Sequence, residues 1–491
     1  MALLCLPDNP SLEQLKNQAR DLQRAVESGD AEARELIESG HPRSTGALSA
    51  DGKLKLADAQ LATARLYGFP SWPRMAEVVE EIVRWTRNPH RVEESADEAD
   101  EFLRLACLTY GGDDLERHRQ AQAMLAAKPE LNERGIHAAA AAGNLEVVER
   151  LIAADPACVN ALGGPFDWEP LLYLCYSRID DGAGGSRAVR SAGALLRAGA
   201  DPDAGYLWAG MTSPFTALTG AFGEGEDRHN QPPHQASMAL ATVLLMHGAD
   251  PNDAQALYNR SWSRSDEHLE LLVARGLGKG DGGPWHKRLG ETHQTPKEMV
   301  DEELVKAAAM GRANRARLML EAGADPGARG AHPLHGGRTA YELAVLNGNT
   351  EIAAMLESAG AHAPQLAPLE IFVSHCLRHE RRGMDELLAK HPELLEDAKR
   401  LHPGLLRQAA ELGRQMSVRL LVDLGFDINH VERVTALHEA AWRGDVEMAR
   451  LLIGLGADPT IKDHEHDSTP RGWALHSHHQ EVADYLVSVG G

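Results

Sequence analysis

Five side chains between positions 224 and 260 are of the types that acid–base chemistry requires. Glu224, His229 and His234 could donate or accept a proton near neutral pH. Tyr258 and Arg260 could stabilise a negative charge that develops during a reaction. Arg260 could equally pair with an acid of the preceding loop. The loop residues Glu224, Glu226, His229 and His234 could simply be solvated. The stretch therefore allows an acid–base site without requiring one.

A wider set of aromatic, amide, hydroxyl and charged residues surrounds these five. Nearly half of the chain's aromatic residues fall within 162–290, about a quarter of its length. Aromatic walls with a few convergent polar groups are typical of a small-molecule pocket, and the same groups could line a protein-binding surface. We therefore predict ligand or partner contacts at Tyr173, Tyr176, Arg178, Tyr206, Trp208, Thr216, Phe222, Glu226, Asn259, Trp262, Trp285 and His286.

No known catalytic motif accompanies these residues. The sequence contains no Gly-x-Ser-x-Gly elbow and no Cys–His signature, and the glycines of 280–286 lack the Gly-Lys-Ser/Thr of a phosphate loop. The histidines of 463–467 do not have the His-Glu-x-x-His spacing of a metal site, and we expect a solvated turn there. We predict no metal and no cofactor, and a non-enzymatic binding module is favoured over an enzyme.

Composition restricts the partners. The net charge is −22, with 72 acidic against 50 basic residues, and would repel nucleic acid and anionic membranes. Five scattered cysteines indicate free thiols in a reducing compartment. No signal peptide is recognisable, and no apolar run approaches the roughly 18 residues of a membrane span. We predict a cytoplasmic protein whose partner is another protein, with a small molecule as the alternative.

A repeated helical pattern must position the candidate residues. The clearest unit, 435–459, begins Thr-Ala-Leu-His, breaks at Gly444 and ends Gly-Ala-Asp-Pro. Thr can cap the first helix, the paired alanines keep it narrow, and glycine followed by proline ends the second. Related units occur at 135–152, 339–352 and 469–486, and Gly-Ala-Asp-Pro starts at Gly199, Gly248, Gly323 and Gly456.

This unit closely resembles the ankyrin repeat, and the whole chain resembles bacterial, actinobacterial-type ankyrin-repeat proteins. The resemblance implies an all-α solenoid of about 10–11 helix–turn–helix repeats with β-turn fingers. We predict an N-terminal helical module at 1–87, an acidic linker at 88–100 and the repeat array at 101–491. His137 and His438 occupy the histidine position of the repeat, where a structural hydrogen-bonding role is expected.

The spacing of the repeats places their irregularity at 162–290. Gly425 and Gly456 are 31 positions apart, near the ankyrin period of about 33, whereas Gly199 and Gly248 are 49 apart. Such additions become loops, often on the binding face. We predict inner helices at 169–178 and 213–219, a loop at 220–227 and a turn at 280–286. The segment 205–234 either binds a molecule or covers the repeats beneath it.

Two functions follow from these patterns. The first, which is favoured, is an ankyrin-repeat binding protein that presents a concave groove to a protein partner. The second is an ankyrin scaffold whose irregular repeats at 162–290 bind a small molecule or catalyse acid–base chemistry.

Overall fold

A computed structural model describes residues 4, 6–7, 9–42, 53–261, 263 and 265–491, with the backbone alone at 334. The described residues are mostly helical and divide into two compact units, 1–299 and 300–491. None of the described helices combines the length and apolar character that a membrane span requires.

The first unit contains short helices that alternate between inner and outer positions, preceded by four helices near the N-terminus. Its helices are α1 (Leu12–Ser28), α2 (Ala31–Gly40), α3 (Leu56–Leu66), α4 (Trp72–Trp85), α5 (Glu98–Ala106), α6 (Leu115–Ala127), α7 (Ile136–Ala141), α8 (Leu145–Ala154), α9 (Pro170–Tyr176), α10 (Ser186–Arg197), α11 (Ala217–Phe222), α12 (Ser237–Met246), α13 (Ala254–Asn259), α14 (Glu267–Ala274) and α15 (Gly283–Leu289). Its strands are β1 (Thr86–Arg87), β2 (Gly205–Trp208) and β3 (Pro214–Thr216).

Inner and outer helices also alternate in the second unit, apart from one additional helix at 394–401. The remaining helices are α16 (Pro296–Met310), α17 (Ala313–Ala322), α18 (Ala340–Leu346), α19 (Thr350–Ser358), α20 (Pro368–Leu377), α21 (Arg381–Lys390), α22 (Leu394–Leu401), α23 (Leu405–Glu411), α24 (Gln415–Asp423), α25 (Ala436–Arg443), α26 (Val446–Gly454), α27 (Pro470–His476) and α28 (Gln480–Ser488). Short 3-10 turns occur at Pro89–Arg91, Pro129–Glu133, Pro156–Asn160, Gly290–Thr292 and Pro333–His335.

Local side-chain chemistry sets the ends of the repeat helices. The Thr435 hydroxyl accepts the His438 backbone N–H at the start of α25, and Gly444 ends that helix at φ 67°, which glycine adopts cheaply. The His438 ring bonds the Thr435 hydroxyl at 2.7 Å and the Ser468 carbonyl at 3.0 Å, which ties the repeat to the next one. His137 similarly bonds the Ala161 carbonyl at 2.8 Å. The predicted structural role of these two histidines is confirmed.

Polar side chains also link successive fingers, the turns that join one repeat to the next. In the first unit the Asn160 amide oxygen accepts the Asp201 N–H at 2.9 Å, and the Asp203 carboxylate accepts the Asp250 N–H at 2.8 Å. In the second unit the Asn429 amide oxygen accepts the Asp458 N–H at 2.8 Å. These bonds satisfy backbone donors that would otherwise lack partners between neighbouring turns.

The N-terminal helices of the first unit pack on the long finger that precedes α11. Strand β1 pairs in parallel with β2, which pairs antiparallel with β3. Leu207 of β2 and Leu289 of α15 share a buried cluster with Met75 and Ile82 of α4. The Arg288 guanidinium lies 4.6 Å from the Trp85 ring centre and 4.7 Å from that of Trp285. This finger is therefore covered by the chain's own helices.

Three predicted boundaries were wrong. Residues 214–216 form β3, and α11 runs over Ala217–Phe222, where an inner helix at 213–219 and a loop from 220 were expected. The strand forms because β2 supplies its hydrogen-bond partners, and the Thr216 side chain then caps α11. The predicted turn at 280–286 contains the start of α15, because Pro284 at the second helical position is compatible with a helix N-terminus.

Candidate functional site

The segment 223–236 connects α11 to α12 and lies against the ends of neighbouring inner helices. The Glu224 N–H donates to the Gln231 carbonyl at 2.7 Å, which closes the segment on itself. The Gln231 amide then donates to the buried Asp113 carboxylate at 3.1 Å. Asp113 also accepts the backbone N–H groups of Thr109 and Tyr110. The segment is thus a packed loop, anchored to a turn more than a hundred positions earlier in the chain.

Arg178, which lies just after α9, holds the same loop through hydrogen bonds. Its guanidinium donates to the carbonyls of Pro232 at 2.6 Å and Gly220 at 2.8 Å, and to those of Cys175 and Ser177 at 3.1 Å and 2.9 Å. Burial lowers the pKa of Arg178, which remains charged because an arginine pKa lies far above neutrality. The side chain therefore links α9, α11 and the loop, and its N–H groups donate to backbone carbonyl oxygens.

Two of the predicted acid–base residues form an ion pair. The Arg260 guanidinium lies 2.7 Å from the Glu224 carboxylate, and the two side chains are 8% and 16% exposed. The Tyr258 hydroxyl donates to the Glu226 carboxylate at 2.6 Å. Burial, followed by the hydrogen bond to Glu226 and then the Glu226 charge, raises the pKa of Tyr258. The structure thus brings Glu224, Glu226, Tyr258 and Arg260 together, with each carboxylate held by a donor from the end of α13.

The two predicted histidines have different environments. The buried His234 ring accepts the Ala236 N–H at its Nδ1 atom, 3.0 Å away. Burial and the nearby Arg178 charge lower the pKa of His234 to about 3, so its ring is neutral at physiological pH. His229 is half-buried beside Arg228, with 3.3 Å between the Nε2 and Nε atoms. An acid–base role for these histidines stays a prediction.

The predicted aromatic contacts are mostly interior. Tyr173, Tyr176, Tyr206 and Phe222 are all buried. The Tyr173 hydroxyl donates to the Gly163 carbonyl at 2.9 Å and accepts the Phe166 N–H at 3.0 Å. Stacked and tilted rings, including Trp168 with Tyr206 at 4.8 Å, fill the space between inner helices and the long finger. The aromatic density of 162–290 thus forms a local core.

The predicted polar contacts serve the same packing. The Thr216 and Thr219 hydroxyls donate to the Asp253 carboxylate, which is buried and whose pKa burial raises. Asn259, also buried, accepts the Gln255 amide at 2.8 Å. The two threonine bonds join α11 to the start of α13, whereas the Asn259 bond lies within α13.

The remaining predicted residues lie near the N-terminal helices or outside the described region. The half-buried Trp208 indole donates to the Thr109 carbonyl at 2.8 Å and stacks on His90 at 4.4 Å. Trp285 is buried, and its indole donates to the Asp203 carbonyl. His286 is half-buried on α15. Trp262 lies outside the described residues.

A second aromatic group, which the sequence interpretation missed, lies on the last two inner helices. The Trp442 and Trp473 rings are 5.5 Å apart at 72°, and the exposed His476 ring stacks on Trp442 at 6.0 Å. Both tryptophans are half-buried. Trp442 follows the alanine pair of its repeat, at a position where the repeat pattern fixes no residue type. A tryptophan at such a position was a usable signal, because large aromatics are enriched at binding hot spots.

No group of three or more His, Cys, Asp or Glu side chains within the described ranges is placed to hold a metal ion. In the turn 463–467 the Asp463 carboxylate accepts the N–H groups of Glu465 and His466 and the Trp473 indole N–H. These bonds lower the pKa of Asp463. The carboxylate is therefore used to shape a finger and to orient Trp473.

Comparisons with known proteins agree with this repeat geometry. A family model for ankyrin repeats in many copies matches residues 406–453, and a single ankyrin-repeat model matches residues 136–163. The chain carries ankyrin repeats. The predicted all-α ankyrin-repeat solenoid is confirmed by these matches together with the repeated helices.

Three relatives share short segments with this chain. Palmitoyltransferase AKR1 of Kluyveromyces lactis is 29% identical over 114 residues, which are 23% of this chain and 15% of that protein. The E3 ubiquitin-protein ligase Ufd4 of Drosophila melanogaster is 37% identical over 89 residues, 18% of this chain and 3% of the relative. Protein phosphatase 1 regulatory subunit 27 of Mus musculus is 29% identical over 113 residues, 23% of this chain and 69% of the relative.

The matched segments thus span only a small part of the first two relatives, and all three relatives are eukaryotic. A bacterial origin stays a prediction. Ankyrin arrays are interaction scaffolds that use extended surfaces for binding, because each repeat packs only on its neighbours and leaves one face open.

Proposed function

We propose that this chain is a protein-binding ankyrin scaffold that presents its inner helices and fingers to a partner protein. The observation that carries the proposal is the regular repeat geometry of α23 to α28, where inner helices and fingers recur without an insertion that packs over them. Successive repeats place matching positions side by side, which yields a continuous face for a partner protein.

The chemistry of this face fits recognition by side chains. The Gln408 amide donates to the Asn347 amide oxygen at 2.8 Å, and Arg407 contacts the Glu439 carboxylate at 2.9 Å. These are polar links between repeats, and the inner helices α25 and α27 also carry the half-buried Trp442 and Trp473. Polar surroundings with aromatic anchors are typical of non-obligate protein interfaces.

The proposal is tested by selecting ligands from displayed libraries of peptides and small folded domains on the immobilised full-length chain. Affinities of the selected ligands are then measured for Gln408→Arg, on inner helix α23, and for Gln415→Arg, at the start of outer helix α24. Both changes introduce the same side chain into the same repeat, at a half-buried inner and an exposed outer position.

We expect Gln408→Arg to weaken binding at least about tenfold, because a bulky cation on the inner helix disrupts partner contacts worth roughly 1.4 kcal/mol or more. Gln415→Arg should change affinity less than about twofold. Thermal melts of both variants check that the fold is retained. Libraries that yield no ligand, or ligands equally weakened by the outer-helix change, would overturn the proposal.

A further inference from the structure

A cavity in the first unit lies among the outer helices α6, α8 and α10. Its volume is about 560 Å³, within the range of roughly 300 to 1000 Å³ that small-molecule sites occupy. The end of α6, the turn between α7 and α8, the start of α8 and the start of α10 form its walls. Leu125, Ala142 and Leu145 supply apolar contact, and the rest of the lining is mostly polar or charged.

Close contacts fix the two main walls relative to one another. Gly143, in the turn before α8, has a φ of 65°, and a Cβ atom there would lie only 3.2 Å from the Ala188 nitrogen of α10. The Asp181 carboxylate accepts four backbone N–H groups between positions 183 and 188, at 2.8 to 3.2 Å. The walls are therefore formed before a ligand arrives, which reduces the entropy that binding costs.

The α8 and α10 walls carry opposite charges. Glu146 and Glu149 are three positions apart on α8 and therefore share one side of that helix. Arg187 and Arg190 have the same spacing on α10. All four side chains are exposed, and none has an ion-pair partner among the residues that the structure describes. Arg190 makes one long hydrogen bond, 3.4 Å, to the Ser186 carbonyl.

The lining as a whole is acidic. Asp180 and Asp181 also line the cavity, so that its carboxylates outnumber its two guanidinium groups. Asp181 is held by its backbone donors, and the exposed Asp180 carboxylate accepts the Gly182 N–H at 2.8 Å. Arg150 of α8 lies outside the lining and pairs with Glu133 at 3.2 Å. A ligand with more positive than negative charge therefore fits this cavity better than an acidic one.

We propose that this cavity binds a free basic amino acid. Its α-carboxylate lies against Arg187 and Arg190, because guanidinium groups pair with carboxylate oxygens in two-point fashion. Its α-ammonium group and its cationic side chain lie toward Glu146 and Glu149. An acidic amino acid would bring a second carboxylate to the glutamates, and a diamine would leave the arginines without an anion. The site lies in the first unit and does not rest on the proposed scaffold function.

Ligand-observed NMR titrations of the full-length chain test the ligand chemistry. L-lysine and L-arginine are compared with L-alanine, which lacks the side-chain cation, and with L-glutamate. Lysine amide lacks the carboxylate, and Nα-acetyl-lysine lacks the α-ammonium group and imitates the C-terminal residue of a peptide. We expect the two basic amino acids to bind, the alanine, amide and acetyl compounds to bind at least about tenfold more weakly, and glutamate not to bind.

Charge-removing variants test the position of the site. Arg187→Gln combined with Arg190→Gln should weaken lysine binding at least about tenfold and remove the preference for lysine over its amide. The matched control combines Arg119→Gln with Arg150→Gln, two arginines of outer helices in the same unit that are 71% and 56% exposed. These two lie outside the cavity lining, and their replacement should change affinity less than about twofold.

Glu146→Gln combined with Glu149→Gln should also weaken lysine binding, while the preference over the amide is kept. Thermal melts check that each variant is folded. Absence of lysine and arginine binding would overturn the inference, as would equal affinity for lysine amide or equal weakening by the control pair. Equal affinity for Nα-acetyl-lysine would assign the cavity to a peptide C-terminus and overturn the free amino acid.

Discussion

The insertion-bearing repeats at 162–290 and the regular repeats at 404–488 use the same residue types in opposite ways. In the insertion-bearing repeats Trp168, Tyr173 and Tyr206 are buried. The Arg178 guanidinium there donates hydrogen bonds to backbone carbonyls. In the regular repeats Trp442 and Trp473 are half-exposed on inner helices. A long loop adds backbone that must be satisfied and apolar surface that must be covered. Aromatic density in the insertion-bearing repeats reflects a local core, whereas the two tryptophans on inner helices α25 and α27 stay partly accessible to solvent.

Replacing one tryptophan in each region tests this difference most strongly. Trp168→Ala should destabilise the first unit by about 3 to 5 kcal/mol, because it leaves a large cavity among packed rings. Trp442→Ala should cost roughly 1 kcal/mol, because its ring is already partly in water. Hydrogen exchange read by mass spectrometry in peptides from 160–250 and 404–488 measures both. Equal losses of protection would remove the distinction between core and surface tryptophans.

The anchoring of the loop by Arg178 gives the second test. Arg178→Ala should destabilise the region around 220–236 by about 2 to 3 kcal/mol, because hydrogen bonds from a charged donor to four carbonyls are lost together. Arg471→Ala, an exposed arginine on α27, serves as the control and should change stability by less than about 0.5 kcal/mol. Urea denaturation and protease cleavage within 223–236 report the two effects. Unchanged cleavage of the Arg178 variant would show that the loop is held by other contacts.

The repeat scaffold could be predicted from sequence because its signals are local. Thr435, Gly444 and the Gly-Ala-Asp-Pro turns specify caps and helix ends within a few positions. Glycine spacing also located the insertion-bearing repeats. The boundary of α11 could not be predicted, because β3 forms only when β2 is present as a partner.

The direction in which the candidate side chains point was not predictable either. Tyr110 packs on Phe215 at 4.9 Å, and Trp208 bonds the Thr109 carbonyl, so residues about a hundred positions apart decide which rings become core. Neither contact produces a recurring spacing of residue types in the sequence. By contrast, Trp442 could be recognised in the sequence as a large aromatic residue within a regular repeat.

The smallest expected effect concerns the fingers of the two regions, whose acids should respond to pH with opposite sign. Burial raises the pKa of Asp203 from its usual 3.8 to about 7, and the neighbouring Asp201 and Asp250 charges add to this. Between about pH 4 and 7 the folded chain therefore binds a proton that the unfolded chain does not, and stability falls as pH rises.

In Asp458 the pKa is lowered, because the Thr460 hydroxyl and N–H donate to its carboxylate. Its stabilisation is present above the usual pKa and lost as pH falls.

Asp203→Asn keeps the acceptor for the Asp250 N–H and removes the charge. We expect it to be more stable than the natural chain at pH 8 by about 1 kcal/mol, since water reaches the half-buried carboxylate and limits the penalty. The two proteins should converge in stability near pH 4. Asp458→Asn should instead lose stability at pH 8 and match the natural chain in acid. Melting curves from pH 4 to 8 measure both differences. If Asp203→Asn were destabilising at pH 8, the charged form would be the one that the finger favours, and the contrast between buried and solvated fingers would fail.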